Sequence, residues 1–293
     1  MKYSLLLFSF LLLRTGFAQA QEDSIPLSRE INFLFHLGEQ KQLDNLEYYS
    51  QSLLNDSLQY SRDLRDSAAF ATGELFNKFR NSLKARSYYD RVSDASVFAY
   101  PAGLFSGLLN AEEHRYEEAE KKMSALPDPG TGLLHELKHF ELAGLYLLRK
   151  NHAAFDSLQV LFLPEDSLIG AEYAFFKDYH YILQTMKKKS GFLAGALSAV
   201  VPGLGKVYTG NPGQGLASFL RVVPLGLITA ENFRNGGFKN AQFYIFGSLF
   251  TLFYVGNIWG SSLSAQIVYQ EKVDEIHHNI LVGLRIPVDR VFR

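Results

Sequence analysis

The spacing of apolar residues divides the chain into two halves of different character. Between Ser28 and Lys187, apolar residues recur at intervals of three and four and are separated by short polar joints. This spacing predicts a series of amphipathic helices. From Ser190 onward the apolar runs are longer and are interrupted by glycine and proline, which favours closely packed helices in lipid. The pattern predicts an all-α protein with a soluble-type half followed by a membrane-type half.

The beginning of the chain has the pattern of an export signal. Lys2 precedes an apolar run from Leu5 to Leu13, and Ala18-Gln19-Ala20 supplies the small residues of a cleavage site. Arg14 ends the apolar run well short of the ~20 residues that a membrane-spanning helix needs. We therefore predict a signal peptide over residues 1–20 and export of the mature chain into a cell envelope.

The first half contains an internal repeat. Laid on itself at a spacing of 34 residues, the chain aligns Gly73 with Gly107, Ala85 with Ala119, and Tyr89 with Met123. This order of small and large residues is similar to the tetratricopeptide pattern, in which small side chains let the two helices of a hairpin touch. One such hairpin cannot bury its own apolar face, so neighbouring hairpins must stack.

The repeat varies in quality along the first half. The two best units cover residues 68–92 and 103–126, and looser units run from Ile31 to Leu54 and from His135 to Leu163, where Gly144 is displaced from the period. The resemblance implies a tetratricopeptide-like array over residues 21–189. Arrays of this kind bind proteins in a concave groove. Aromatic residues such as Phe76 and Tyr89 are candidates for groove or core.

A glycine-rich motif marks the join between the halves. The stretch PGLGKVYTGNPGQG resembles the P-G-x-G-x-x-Y-x-G-x(4)-G pattern of small TM2-type bacterial membrane modules. The matching residues are Pro202, Gly203, Gly205, Tyr208, Gly210 and Gly215. The resemblance implies a membrane-embedded module over residues 190–270 and implies no reaction. We expect the stretch to form a helix, a tight turn and a second helix.

Three apolar segments follow one another in the second half, at residues 190–208, 215–230 and 241–260. They predict a glycine-rich transmembrane hairpin or a three-segment bundle. Arg221 lies within the second segment, and a charge at mid-bilayer costs about 2.5–3.5 kcal/mol. Arg221 must therefore face protein, water or headgroups, and one interpretation is that it lines a polar path in a small transport or channel component.

The first half also contains one metal-binding motif. His135-Glu136-Leu137-Lys138-His139 matches H-E-x-x-H, in which two imidazoles one helical turn apart share a zinc ion and the glutamate activates its water. A peptidase site of this kind needs a third ligand, and the downstream candidates are Glu141, Glu165 and Glu172. The alternative interpretation is that His135 and His139 are solvated surface residues.

Composition narrows the function further. The 293 residues carry a net charge of −1, so the concentrated positive surface that nucleic acid requires is missing. The chain has no cysteine, which excludes disulfides, thiol nucleophiles and a lipoprotein anchor. We predict no cofactor. Residues 271–293 are assigned as a C-terminal tail, which from Asn279 onward alternates apolar and polar residues and predicts a short strand or an extended tail.

Together these features predict a non-enzymatic, membrane-anchored envelope protein whose repeat half lies in the periplasm and binds a protein partner. Membrane lipid is the second expected contact, and nucleic acid is not expected. Two alternatives remain open at this point: a zinc-dependent membrane peptidase that uses His135, Glu136 and His139, and a transport or channel component that uses Arg221.

Overall fold

The computed structural model describes residues 28–158 and 169–292. The predicted signal peptide lies outside these residues. Within them, the regular elements are helices and no strand occurs, so the all-α prediction is confirmed for this part of the chain. The helices are α1 Arg29–Glu39, α2 Leu43–Asn55, α3 Arg62–Lys78, α4 Ser82–Tyr89, α5 Ala99–Glu112, α6 Tyr116–Ala125, α7 Leu133–Leu148, α8 His152–Leu158, α9 Gly170–Thr185, α10 Gly191–Val200, α11 Leu204–Thr209, α12 Pro212–Gly236 and α13 Ala241–Phe292.

The chain forms two compact units. The hairpin unit contains the described residues up to Tyr181 together with those from His278 onward, and the glycine-rich unit contains Ile182–His277. Helix α13 contributes its first part to the glycine-rich unit and its last residues, from His278 to Phe292, to the hairpin unit. The hairpin unit is therefore built from two separate stretches of sequence.

Helices of the hairpin unit pack in consecutive pairs, α1 with α2, α3 with α4, α5 with α6, and α7 with α8. The turn in each pair passes through a basic residue in the left-handed region, at Lys41, Arg80, His114 and Lys150 with φ of 56°, 57°, 60° and 55°. The same hydrogen bonds close each turn; for example, Arg80 N donates to Asn77 O and Asn81 N donates to Phe76 O. These are the bonds of a Schellman motif. The four turns are structurally equivalent.

Contacts inside two of the hairpins repeat as well. A Cβ added to Gly73 would lie 2.7 Å from the ring of Tyr89, and one added to Gly107 would lie 2.8 Å from the side chain of Met123. These are the small and large positions that the sequence repeat aligned. Counted from the turn residue, the equivalent position in the α7–α8 hairpin is Ala143, which is fully buried. The α7–α8 hairpin therefore keeps a small residue at this position.

The ending of the chain is helical, so the prediction of a strand or extended tail is wrong. Helix α13 continues to Phe292. Its buried residues in this region recur every fourth position, at Ile280, Leu284, Val288 and Phe292, which is the stripe of an amphipathic helix. Residues spaced by four also lie on one face of a strand, so the apolar positions of this short segment fit both a strand and a helix. Packing of the apolar stripe within the hairpin unit favours the helix.

Among the described residues, two helices are long and apolar enough, by length and composition, to cross a membrane, and both begin in the glycine-rich unit. They are residues 212–239, which comprise α12 and a following 3₁₀ turn, and α13. In their most apolar 18-residue windows only 11% and 6% of the residues are buried. The core helix of a water-soluble protein would be mostly buried. Helix α10 is a third, shorter apolar helix, as the three-segment prediction required.

Candidate functional site

The last residues of α13, His278–Phe292, pack across one face of the hairpin unit. We call these residues the C-terminal segment and the face that they cover the groove. Its contacts come from α3, α5, α7 and α9, of which the first three are the first helices of successive hairpins. In a stack of hairpins the first helices line one continuous face. The C-terminal segment therefore packs across the first helices of three successive hairpins.

The polar centre of the groove is Arg285. Its guanidinium donates to Glu112 Oε1 of α5 at 2.6 Å and to Asn77 Oδ1 of α3 at 2.9 Å. A guanidinium presents donors in a fixed planar fork, so two acceptors on different helices define its position. Asn77 is buried, and its Nδ2 also donates to Tyr89 Oη at 3.4 Å. Arg285 therefore binds at the boundary between two hairpins.

The apolar contacts of the C-terminal segment lie on either side of Arg285. The side chain of Leu284 covers Gly144, where any added Cβ would collide with it, and Gly283 approaches the ring of Phe176. The ring of Phe292 lies 6.4 Å from that of Phe105, edge to face. Gly144 therefore provides space for Leu284, which explains why a glycine stands where the repeat expects a larger residue.

A second ion pair lies toward the end of the segment. Arg290 Nη1 lies 2.8 Å from Glu172 Oε1 of α9. Glu172 was a candidate third zinc ligand, and the structure places it in this ion pair instead. Glu141, another candidate, is fully buried on α7, and burial raises the pKa of its carboxyl well above its usual range. Glu165 lies outside the described residues.

The H-E-x-x-H histidines come together with a residue that sequence analysis missed, Asp128. Asp128, His135 and His139 each present a ligand atom within 4.8 Å of the other two. His135 Nδ1 lies 2.6 Å from Asp128 Oδ1, and His139 Nε2 lies 3.8 Å from Asp128 Oδ2. The hydrogen bond with His135, followed by that from Gly130 N, lowers the pKa of the Asp128 carboxyl to about 2. The acidic residue that lies beside the two histidines is therefore upstream of them, in the loop before α7.

The loop and helix hold this cluster in place. Asp128 lies between Pro127 and Pro129, and its Oδ1 accepts from Gly130 N at 2.9 Å. His135 and His139 occupy the first turns of α7, one turn apart, with ring centroids separated by 4.2 Å. Their side chains are 19% and 13% exposed, so both are partly buried, and their interpretation as solvated surface histidines stays a prediction.

Glycines of the glycine-rich motif stand where a side chain cannot fit. A Cβ on Gly205 would collide with the carbonyl oxygen of Ala194, and one on Gly203 with that of Gly215. Gly203 and Gly210 also have φ of 88° and 109°, the left-handed region that favours glycine. These glycines let α10, α11 and α12 pack backbone against backbone.

The other motif residues complete this packing. Pro202 precedes Gly203 in the turn between α10 and α11, which confirms the predicted helix, turn and second helix. The carbonyl oxygen of Tyr208 accepts from Lys189 Nζ at 2.6 Å, and the same ammonium lies 5.4 Å from the centroid of the Tyr208 ring. The motif residues therefore have structural roles.

Arg221 lies on the outer surface of α12 and is exposed. Within the described residues, no hydrogen bond or ion pair engages it. Nearby Lys206 donates to Ser218 Oγ at 2.9 Å, which directs this second cation toward the interior of the unit. The side chain of Arg221 therefore faces the surroundings of the unit, and its assignment to a polar path stays a prediction.

Comparison of the chain with protein-family models, curated proteins and solved structures finds no match. Its function therefore has to be inferred from its own residues.

Proposed function

We propose that this protein is a non-enzymatic, membrane-anchored component of the bacterial cell envelope, whose hairpin unit binds a protein partner as a tetratricopeptide-like scaffold. The observation that carries the proposal is the groove, in which first helices of successive hairpins hold an amphipathic helix. Support for the envelope placement comes from the signal peptide predicted at residues 1–20, from the TM2-like motif and from the two long apolar helices.

The occupant of the groove indicates the chemistry of the partner. The C-terminal segment presents an apolar stripe with four-residue spacing and two arginines, Arg285 and Arg290, that meet Glu112 and Glu172. A helix-in-groove interaction reads such anchors from one face of the ligand helix. A partner with an amphipathic helix carrying equivalent arginines would satisfy the same acceptors. This partner would compete with the C-terminal segment.

A peptide-binding experiment on the full-length protein in mild detergent tests this proposal. The probe is a fluorescent peptide of residues 278–292, and the receptor is the Arg285→Glu variant. The new carboxylate faces Glu112, so the variant's own segment should leave the groove. We expect the peptide to bind this variant and not the wild type, whose groove is occupied. Absence of binding to the variant would overturn helix recognition by the groove.

A charge exchange provides the matched control. The double variant Arg285→Glu, Glu112→Arg restores opposite charges, so its own segment should return to the groove and exclude the peptide. A probe peptide carrying Leu284→Asp should not bind any variant, because Leu284 is fully buried against Gly144. Equal binding of both peptides would indicate nonspecific association with detergent or with the apolar helices.

Placement of the hairpin unit is tested separately by cysteine labelling. The chain has no cysteine, and Tyr48 is 79% exposed, so Tyr48→Cys offers one reactive thiol. We expect a membrane-impermeant maleimide to label it in cells whose outer membrane alone has been permeabilised. Labelling only after lysis would contradict periplasmic placement. The variant Ala69→Cys, at a fully buried position, should stay unlabelled until the protein is denatured.

A further inference from the structure

We propose that Asp128, His135 and His139 form a binding site for a divalent late transition-metal ion, with zinc as the expected occupant. The ligand atoms come from two elements, the loop before α7 and the first turns of α7. The inference is independent of the proposed groove, because it rests on these three side chains alone.

The distances suit a metal centre after small movements. Three atoms no more than 4.8 Å apart lie within about 2.8 Å of a common point, and zinc needs about 2.0–2.1 Å to nitrogen or oxygen. Each ligand atom therefore moves less than about 1 Å to coordinate the ion. Partly exposed side chains and a surface loop accommodate movements of this size without repacking the core.

The hydrogen bonds of the histidines select the coordinating atom. His139 Nδ1 lies 2.8 Å from the carbonyl oxygen of His135, and a carbonyl oxygen can only accept, so the proton is on Nδ1. In the neutral ring the lone pair is then on Nε2, the atom that faces Asp128. Backbone carbonyls orient metal-binding histidines in this way in many metalloproteins. Metal binding would displace the proton that His135 shares with Asp128.

The chemical type of the ligand atoms favours zinc and other late first-row transition metals over calcium or magnesium. Two imidazoles and one carboxylate match the preferences of zinc, nickel, cobalt and copper, whereas calcium and magnesium take oxygen ligands. The side chain of Asp128 is 39% exposed, so the ion can enter from solvent and complete its coordination with water. Bound metal would tie the loop between α6 and α7 to α7 itself.

Zinc titration of the full-length protein in detergent tests the site, after any affinity tag has been removed. We expect the metal-stripped wild type to bind a single zinc ion per chain by calorimetry. The variants Asp128→Asn and His139→Ala should each weaken binding by about tenfold or more. Unchanged affinity in both variants, or no saturable binding by the wild type, would overturn the proposal.

Two further variants distinguish this site from zinc binding by surface histidines and from a peptidase centre. His36→Ala removes a histidine on α1 and should leave zinc binding unchanged. Glu136→Gln removes the glutamate that a peptidase would need as a base and should also leave zinc binding unchanged. A tenfold loss of affinity in either variant would contradict the assigned ligand set.

Hydrogen exchange provides a readout that does not depend on the measured affinity. Zinc should slow exchange at residues 128–132 in the wild type and not in Asp128→Asn, because only the wild type can tie this loop to α7 through the metal. The exchange of the buried helices reports in the same experiment whether the variant is folded. Equal slowing in both proteins would contradict coordination by Asp128.

Discussion

Phe76 of the hairpin unit is fully buried, whereas Phe192 of the glycine-rich unit is 86% exposed. Both units bury small polar groups. The hydroxyls of Ser50 and Thr72 in the hairpin unit are 2.8 Å apart, and those of Ser198 and Ser261 in the glycine-rich unit are 2.7 Å apart, and none of the four residues has exposed surface. The units differ in their large apolar side chains, which the hairpin unit mostly buries and the glycine-rich unit mostly exposes.

The difference follows from the solvent that each unit suits. In water, burying apolar area drives helices together. In lipid that driving force is lost, and association depends on close backbone packing and on hydrogen bonds between small residues. Gly205 against Ala194 is a contact of the second kind, and Phe76 stacked on Tyr88 at 5.6 Å is one of the first kind.

The largest expected effect tests the hairpin side of this comparison. Phe76→Ala should lower the free energy of unfolding of the hairpin unit by about 3–5 kcal/mol, because it leaves a cavity in a packed core. Phe192→Ala should leave the stability of the glycine-rich unit almost unchanged in detergent. Hydrogen exchange, measured separately for peptides of each unit, checks both variants. Comparable losses would contradict the assigned difference in burial.

A slightly smaller effect tests the glycine contacts. Gly205→Ala should destabilise the glycine-rich unit by about 3 kcal/mol, because its Cβ meets the backbone of Ala194, which cannot rotate away. Gly256→Ala is the matched control, since a Cβ there meets nothing within 4 Å. Thermal unfolding in detergent distinguishes them. If the two variants have the same melting temperature, the backbone contact at Gly205 does not stabilise the unit.

The buried hydroxyls should contribute less. Ser198 Oγ donates to Ser261 and accepts from Gly205 N at 2.9 Å, so Ser198→Ala leaves two buried polar groups unpaired. We expect a loss of about 1 kcal/mol in lipid or detergent. Ser248→Ala is the control, because the exposed Ser248 bonds only to the carbonyl of its own helix at Tyr244. A larger loss in the control would refute the role of the hydroxyl pair.

The smallest expected effects concern a type of helix-ending turn that occurs in both units. Arg80 and Gly210 occupy equivalent left-handed positions, since Gly210 N donates to Val207 O and Asn211 N donates to Lys206 O. A side chain in this region costs about 1–2 kcal/mol, offset by about 0.3–1 kcal/mol when a cation lies at a helix C-terminus. Arg80→Gly should therefore stabilise by about 0.5 kcal/mol and Gly210→Ala should destabilise by about 1 kcal/mol. Chemical denaturation checks the signs, and two changes of the same sign would contradict the equivalence.

Local spacing was enough to predict the helices and the turn at Pro202 and to align the small and large positions of the repeat, whereas the contacts of Gly73 with Tyr89 and of Gly107 with Met123 came from the structure. Periodicity carries such information because each contact lies within one hairpin. The register of the α7–α8 hairpin needed the turn residue Lys150, since this turn follows His114 by 36 residues and not by the 34 that separate Arg80 from His114.

Contacts between distant parts of the chain were not predictable in this way. Arg285 meets Asn77 and Glu112 across most of the chain, and no local pattern encodes that distance. Asp128 was missed because the motif directed attention downstream, while Pro129 and Gly130 turn the preceding loop back toward α7. The stripe at Ile280 and Leu284 was present in the sequence, but its helical spacing overlaps with the alternation of a strand.

The two-part construction of the hairpin unit has a consequence for the order in which the protein matures. Synthesis proceeds from the N-terminus, so residues 28–181 emerge before the apolar helices, and the C-terminal segment emerges after them. Until the C-terminal segment has been synthesised and has packed against the other helices of the hairpin unit, the groove is unoccupied. The first stretch of the hairpin unit therefore cannot form the complete unit without the C-terminal segment. During this interval the surface at Gly144 and Phe105 lacks the side chains of Leu284 and Phe292 that pack on it in the finished protein.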